Sequence, residues 1–222
     1  MKFNVKEPGS AITHFIGMLM ATFAATPLLV KAATAPDKVH LVSLSIFIVS
    51  MIMLYAASTI YHTFNFSNHT NQILKKLDHC MIFVMIAGSY TPVCLIVLNG
   101  KVGIMMLALV WGVAILGIIF KLFWVNCPKW VSSILYIAMG WICVLAFSRI
   151  IDALRGPAFA WLLAGGIIYT IGGIIYALKL PLFNSHHKNF GTHEIFHLFV
   201  MAGSVCHFIV MFNYVSTMPI VH

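Results

Sequence analysis

The sequence predicts an all-α integral membrane bundle of seven transmembrane helices, and three observations lead to this fold class. Of the 222 residues, 61% are hydrophobic and only 8% are charged, whereas a soluble globular domain carries roughly 25% charged residues. Apolar runs of about 20 residues recur along the whole chain, and as helices they are long enough to cross a hydrocarbon core of about 30 Å. In lipid, such a run satisfies its own backbone groups only as a helix, which argues against a barrel.

The seven apolar runs follow one another with short connections between them. They cover Ser10–Val30, His40–Tyr61, Asp78–Leu98, Gly103–Phe123, Val131–Arg149, Phe159–Leu178 and His193–Tyr214. The connections "KAATAPDK", "SNHTNQILKK" and "LNGK" are too short to hold a soluble domain. We therefore predict a single domain over residues 1–222.

Individual runs carry further signals. The first is too long for the apolar core of a signal peptide, about 7–15 residues, and it contains His14, so we expect it to remain as a helix. Pro92 predicts a kink in the third run.

In the sixth run, "GGIIYTIGGIIY" repeats at a spacing of two helical turns. This spacing places Gly165 with Gly172, and Gly166 with Gly173, on shared faces for close helix packing. Five scattered cysteines without a CxxC pair indicate small buried side chains.

The net charge of +8 comes from cations in the short connections, so it points to membrane topology and not to a nucleic-acid partner. One side of a seven-span chain carries Lys2, Lys6, Lys75, Lys76, Lys121, Lys129, Lys179 and Lys188, and the other carries Lys31, Lys38, Lys101, Arg149 and Arg155. The side richer in cations is expected to be cytoplasmic. This places the N-terminus inside and the C-terminus outside.

Four side chains able to bind metal fall at the same membrane end in this topology: His62 closes the second span, Asp78 opens the third, and His193 and His197 open the seventh. His193 and His197 share a helix face because they are four residues apart. With His62 they make a set of three histidines, which with a water forms an open zinc site. Asp78 is expected to accept a hydrogen bond from that water and act as base, with Ser58, one turn before His62, steadying the water or a substrate oxygen.

Other interpretations of these residues remain open. The histidines can simply cap helices at the headgroup level. The segment "HEIFH" also matches the zinc-protease pattern HExxH, with Glu194 as base, although a side chain facing the headgroups or Lys188 is the plainer expectation for Glu194. His14 is expected to support the site from nearby. His207, about 15 Å further along the helix than His197, is expected either to pack in the bundle with its hydrogen bonds made or to belong to a polar cavity, and packing is the favoured alternative.

Four segments, "STIYH", "LDHCMIFVMIAGSYTP", "AMGW" and "HEIFHLFVMAGSVCHF", together with the opening "EPGSAITHFIG", resemble the hemolysin III family. This family is the bacterial branch of the progestin and adipoQ receptors. The resemblance implies seven helices in a bacterial plasma membrane, a cytoplasmic N-terminus, and Zn²⁺ held near the inner leaflet by His62, His193 and His197, with Asp78 bridged through water and Ser58 alongside. Glu194 departs from the neutral residue expected in relatives.

Three functions follow from the site and the resemblance. The first is an intramembrane zinc hydrolase of lipid acyl bonds, amide or ester, linked to membrane-lipid homeostasis. The second is a lipid or fluidity sensor in which zinc is structural. The third is a pore-forming haemolysin, which the clustering of polar residues at one end disfavours because a pore needs them along several spans. The expected partners are membrane lipids, with an acyl chain as substrate, and no nucleic acid.

Overall fold

A computed structural model describes residues 5–154, 156–178 and 190–220. Within these ranges every regular element is a helix, and seven helical segments are long and apolar enough to cross a membrane. The all-α prediction is confirmed, and each predicted apolar run lies within one of the seven segments. Among the residues singled out from the sequence, Lys2, Arg155, Lys179 and Lys188 lie outside the described residues.

The helices, in chain order, are α1 (Pro8–Ala33), α2 (Lys38–Thr63), α3 (Asn68–Pro92), α4 (Gly100–Phe123), α5 (Lys129–Gly140), α6 (Phe147–Ala153), α7 (Pro157–Leu178) and α8 (Thr192–Val210). A π-helical stretch, Val93–Leu98, continues α3 directly after Pro92, and another, Met211–Val215, continues α8. The fifth crossing consists of α5, a 3₁₀ stretch (Trp141–Ala146) and α6.

Local sequence explains where several helices begin. Pro8 occupies the first turn of α1, where its missing N–H costs no hydrogen bond. The Asp37 carboxylate accepts from the Val39 N–H at 3.0 Å at the start of α2, and the Ser67 hydroxyl accepts from the Thr70 N–H at 3.3 Å at the start of α3. These caps satisfy backbone donors that have no partner inside the helix.

The fifth crossing departs from the continuous helix that its apolar run predicts. The hydroxyl of Tyr90, on α3, donates to the Gly140 carbonyl at 2.6 Å and accepts from the Cys143 N–H at 2.8 Å. A side chain that enters the backbone hydrogen-bond ladder in this way interrupts an α-helix. The 3₁₀ stretch begins at this point, directly after Gly140.

The helices pack as a ring around a central cavity. Contacts run from α1 to α2, α3, α5, α7 and α8 and back to α1, while α4 packs outside on α3. The glycine repeat of α7 packs as predicted at Gly165 and Gly172, which face His207 and Phe199 of α8. Large apolar side chains face outward, such as Phe23 at 78% exposure, as expected for a surface in contact with lipid. The chain is an integral membrane protein.

Candidate metal centre

Three histidines from two helices meet at one end of the ring. His62 lies in the last turn of α2, and His193 and His197 lie in the first two turns of α8. One nitrogen from each ring lies within 4.8 Å of the others, and His62 and His197 are each only 2% exposed. The structure thus brings together the three histidines proposed from the sequence, in a group that can hold a metal ion.

The spacing of the nitrogens suits a tetrahedral ion. The Nε2 atoms of His62 and His193 are 3.3 Å apart. Two nitrogens that each lie about 2.0–2.1 Å from a tetrahedral zinc are separated by about 3.3–3.4 Å. The distance between these two nitrogens is therefore compatible with a shared zinc.

Glu7, directly before α1, holds the other nitrogen of His62. Backbone hydrogen bonds from Lys6 N to Thr63 O and from Glu7 N to His62 O lay the N-terminal segment along the end of α2. The Glu7 carboxylate then pairs with His62 Nδ1, and this hydrogen bond lowers the pKa of the Glu7 carboxyl, against the opposing effect of burial. Because Nδ1–H donates to Glu7, the Nε2 lone pair of His62 is free to bind a metal.

Thr13 contacts the Nδ1 atom of His197, as Glu7 contacts that of His62. The Thr13 hydroxyl lies 2.9 Å from the Ser10 carbonyl and 3.1 Å from His197 Nδ1. With the hydroxyl proton given to the Ser10 carbonyl, the Thr13 oxygen can accept from Nδ1–H of His197 in the tautomer that carries its proton there. This leaves Nε2 of His197 as the free nitrogen. Sequence reasoning missed both supporting residues, although both lie in the "EPGSAITH" segment at the membrane end of the histidines.

The Glu194 carboxylate contacts α1 and the start of its own helix, and Lys188, its other expected neighbour, lies outside the described residues. Glu194 Oε1 accepts from the Ser10 hydroxyl at 2.5 Å, and its Oε2 accepts from the Gly191 N–H at 2.8 Å. The carboxylate therefore caps α8 and fastens it to α1, because an acid in the first turn can satisfy free backbone donors. With both oxygens engaged in this way, Glu194 is poorly placed to serve as the base of a protease-like HExxH site.

Ser58 and Asp78 lie beside the histidines but outside the group of ligating atoms. The Ser58 hydroxyl is buried and has no hydrogen-bond partner among the described residues. Asp78 is 8% exposed, and its Oδ2 lies 3.6 Å from His79 Nδ1. Both line the same cavity as His193 and His197. A carboxylate and a hydroxyl thus lie on the wall of the cavity that His193 and His197 also line.

The cavity encloses about 180 Å³ and extends from the histidines into the apolar middle of the ring. His14 stacks on His197 at a ring distance of 3.5 Å, so its placement next to the site agrees with the expectation. His207 also lines this cavity. His207 thus packs against Gly165 of α7 and also lines the cavity, so it has features of both alternatives.

A model of haemolysin-III-related proteins matches residues 3–208 of the chain. The chain belongs to the haemolysin-III-related family. It is 38% identical over 218 residues to the "Hemolysin-3 homolog" of Bacillus subtilis, covering 98% of each chain. It is 37% identical over 214 residues to "Hemolysin-3" of Bacillus cereus, covering 96% of this chain and 94% of that protein.

The haemolysin-III-related chain also has a distant relative among receptors. It is 23% identical over 224 residues to the "Adiponectin receptor protein" of Drosophila melanogaster, covering 91% of this chain and 49% of that protein. The resemblance drawn from the sequence motifs is confirmed. The family match spans every residue of the candidate metal centre, from Glu7 to His197.

Proposed function

We propose that the protein is an intramembrane zinc hydrolase that cleaves acyl amide or ester bonds of membrane lipids. One arrangement carries the proposal. Three histidine nitrogens lie within 4.8 Å of one another, and two of these histidines, His193 and His197, share a largely apolar cavity with Asp78 and Ser58, whose hydroxyl has no partner among the described residues. A structural zinc site is closed, whereas a catalytic one keeps a position open. Three histidines leave such a position.

Each residue of the site has a separate role in the proposed hydrolysis. His62, His193 and His197 hold the zinc, which when bound supplies a Lewis acid that lowers the pKa of water toward about 7. Asp78 accepts the proton of the water that attacks the acyl carbonyl carbon, and then returns it to the departing nitrogen or oxygen. Ser58 donates its hydroxyl hydrogen to the developing oxyanion. The products are a fatty acid and the freed amine or alcohol.

The shape of the cavity and the distribution of cations support a route by which the substrate would enter. Apolar side chains of α3, α5, α7 and α8 line the cavity away from the histidines, which suits an acyl chain entering sideways from the bilayer. We place the histidine end at the inner leaflet of a bacterial plasma membrane, with the N-terminus cytoplasmic, on the basis of the lysine and arginine distribution. Lipid turnover at this leaflet would then contribute to membrane-lipid homeostasis.

A second function uses the same metal without hydrolysis. The ligands come from α2 and α8, so a zinc that only ties these two helices together would make the protein a lipid or fluidity sensor. In that case Asp78 would have no essential chemical role.

The two functions separate in a liposome assay. Zinc-loaded wild-type protein is incubated with labelled ceramide-like and phospholipid substrates, and the Asp78→Asn variant is assayed in parallel. The variant keeps the side-chain shape but removes the base. The hydrolase proposal expects labelled fatty acid from the wild type and a loss of about 10²–10⁴-fold in rate for Asp78→Asn. No product from a broad panel, with zinc retained and full cellular function for Asp78→Asn, would refute the hydrolase and support the sensor.

A further inference from the structure

A lysine, a cysteine and a serine form a buried cluster outside the candidate metal centre. Lys121 Nζ, in the last turn of α4, lies 3.1 Å from Cys127 Sγ and 2.6 Å from Ser132 Oγ. Cys127 Sγ and Ser132 Oγ are 3.3 Å apart, which closes the triangle. None of the three is among the described residues that line the central cavity. The proposed hydrolysis therefore has no use for this cluster.

The sulfur and the amine of this cluster differ in their access to solvent. Cys127 lies in the short connection between α4 and α5, beside the exposed Asn126 and Pro128. It keeps 9% of its surface exposed, whereas Lys121 keeps none. A small oxidant such as peroxide can therefore reach the cysteine, while the lysine nitrogen meets only the groups packed against it.

The contact with Lys121 favours one product of the oxidation of Cys127. A thiol oxidised by peroxide becomes a sulfenic acid, which condenses with a neighbouring thiol or nitrogen. Lys121 Nζ already lies within hydrogen-bond distance of the sulfur. Its positive charge also stabilises the negative charge that the sulfur bears as it attacks the peroxide. The lysine thus assists the oxidation and lies in place to trap its product.

We propose that peroxide joins Cys127 to Lys121 through a reversible sulfur–nitrogen bond, a sulfenamide. In the first step the sulfur attacks one peroxide oxygen, the O–O bond breaks, and the thiol proton leaves with the second oxygen as water. In the second step Lys121 gives one proton to solvent, and its nitrogen attacks the sulfur of the sulfenic acid as the S–O bond breaks. A further proton of the amine leaves with the hydroxyl as water. The sulfur is oxidised by two electrons, and the peroxide is reduced to water.

The bond changes both the charge and the connectivity at this end of the bundle. It ties the connection between α4 and α5 to the end of α4, and it replaces a buried ammonium group with a neutral one. It also protects the sulfur from the higher oxidation states, which are irreversible. Thiols restore both side chains, because one thiol attacks the sulfur and releases the amine, and a second releases the cysteine. This redox-sensitive site does not depend on the proposed hydrolysis or on a metal.

Peptide mapping of the purified protein in nanodiscs tests the bond directly. After treatment with hydrogen peroxide, the remaining thiols are alkylated and the chain is cleaved after lysine and arginine. A sulfenamide blocks cleavage at Lys121, so we expect one peptide over residues 102–129 that is lighter by two hydrogens. This peptide contains a single cysteine, so a disulfide within it cannot account for the lost hydrogens. Treatment with dithiothreitol before alkylation should restore the separate peptides 102–121 and 122–129.

Two variants check the assignment of the bond to Lys121. Lys121→Arg keeps a cation that can donate to Ser132 and Cys127, but a guanidinium group does not give up its proton. The bond should therefore not form in this variant, and Cys127 should gain oxygen instead. Cys80→Ser removes another buried cysteine, whose Sγ lies 3.9 Å from the Ile118 carbonyl oxygen, and it should leave the bond intact.

Three results would overturn the proposal. The first is a wild-type map in which Cys127 carries added oxygen and cleavage at Lys121 proceeds normally. The second is a Cys127 thiol that remains open to alkylation after peroxide treatment. The third is the same loss of two hydrogens in Lys121→Arg, which would assign the bond to a backbone nitrogen. The wild-type map does not depend on any variant folding.

Discussion

Glu7 and Thr13 orient two of the three histidines, which makes them as important to the candidate centre as the ligands. Each engages the Nδ1 atom of its histidine and so presents Nε2 to the metal position. Partners of this kind fix the orientation and tautomer of a ligand and raise its basicity. The N-terminal segment is therefore part of the site, although it precedes the first membrane helix.

We predict that Glu7→Gln weakens zinc binding by about 10–100-fold, because the neutral amide no longer polarises the His62 ring. Competition with a chromogenic chelator measures the affinity. Glu194→Gln is the matched control, since it neutralises an acid at the same membrane end whose contacts are with Ser10 and Gly191. Equal weakening in both variants would indicate a general effect of charge and contradict the assigned role of Glu7.

The residues of the candidate site were partly predictable from the sequence. The spacing of His193 and His197 and the position of His62 at a span end were sufficient to propose the metal group. The contacts of Glu7 with His62 and of Glu194 with Ser10 were not predictable, because they depend on how the N-terminal part of the chain folds against α2 and α8. No local pattern in the sequence encodes that contact.

A buried lysine joins α4 to α5 at the same end of the bundle. Lys121 is fully buried, and its ammonium group donates to Ser132 Oγ at 2.6 Å and to Cys127 Sγ at 3.1 Å. A buried charge is tolerated only when its hydrogen bonds are made. The start of α5 thus supplies the hydroxyl that allows Lys121 to lie at the end of α4.

We predict that Ser132→Ala lowers the free energy of unfolding by about 1–3 kcal/mol, because it removes an acceptor from a buried ammonium group. Unfolding by SDS titration from mild detergent measures the change. Ser133→Ala is the matched control, since the neighbouring hydroxyl is also buried but has no hydrogen-bond partner in the described part of the chain. A loss from Ser133→Ala as large as that from Ser132→Ala would contradict this account.

The helices were more predictable than their irregularities. Apolar length alone located all seven crossings, since a spanning helix must contain about 20 apolar residues. The 3₁₀ break in the fifth crossing could not be inferred, because it depends on a tyrosine from α3 that enters the backbone of another helix. The π-helical end of the eighth helix has no local sequence signal that we can identify.

The ends of the helices lie in two layers, one at each end of the bundle. The end of α2 and the starts of α1 and α8 lie together at the histidines, while at the opposite end Lys31, in the last turn of α1, donates to the Phe212 carbonyl at 2.6 Å. The ring of six helices encloses the cavity between these layers. This arrangement lets an apolar cavity open toward a polar site at the membrane boundary.

We predict that the histidine layer is cytoplasmic. A reporter inserted in the connection at residues 64–67 should be cytoplasmic, and one inserted at residues 34–37 or fused after His222 should be outside, following the lysine and arginine distribution. Paired alkaline phosphatase and fluorescent protein fusions measure the side. The reverse pattern would place the centre at the outer leaflet and contradict the proposed substrate leaflet.

The central claim, a zinc held by His62, His193 and His197, is tested most directly by the metal content of purified protein, measured by mass spectrometry. We predict one zinc per chain in the wild type and a sharp loss in each of the three single alanine variants. The loss should be accompanied by lower thermal stability, because the binding free energy contributes to folding. His69→Ala, which removes an exposed histidine, should retain the metal, and Asp78→Ala should retain most of it. Unchanged zinc in the three histidine variants, or none in the wild type, would contradict the account.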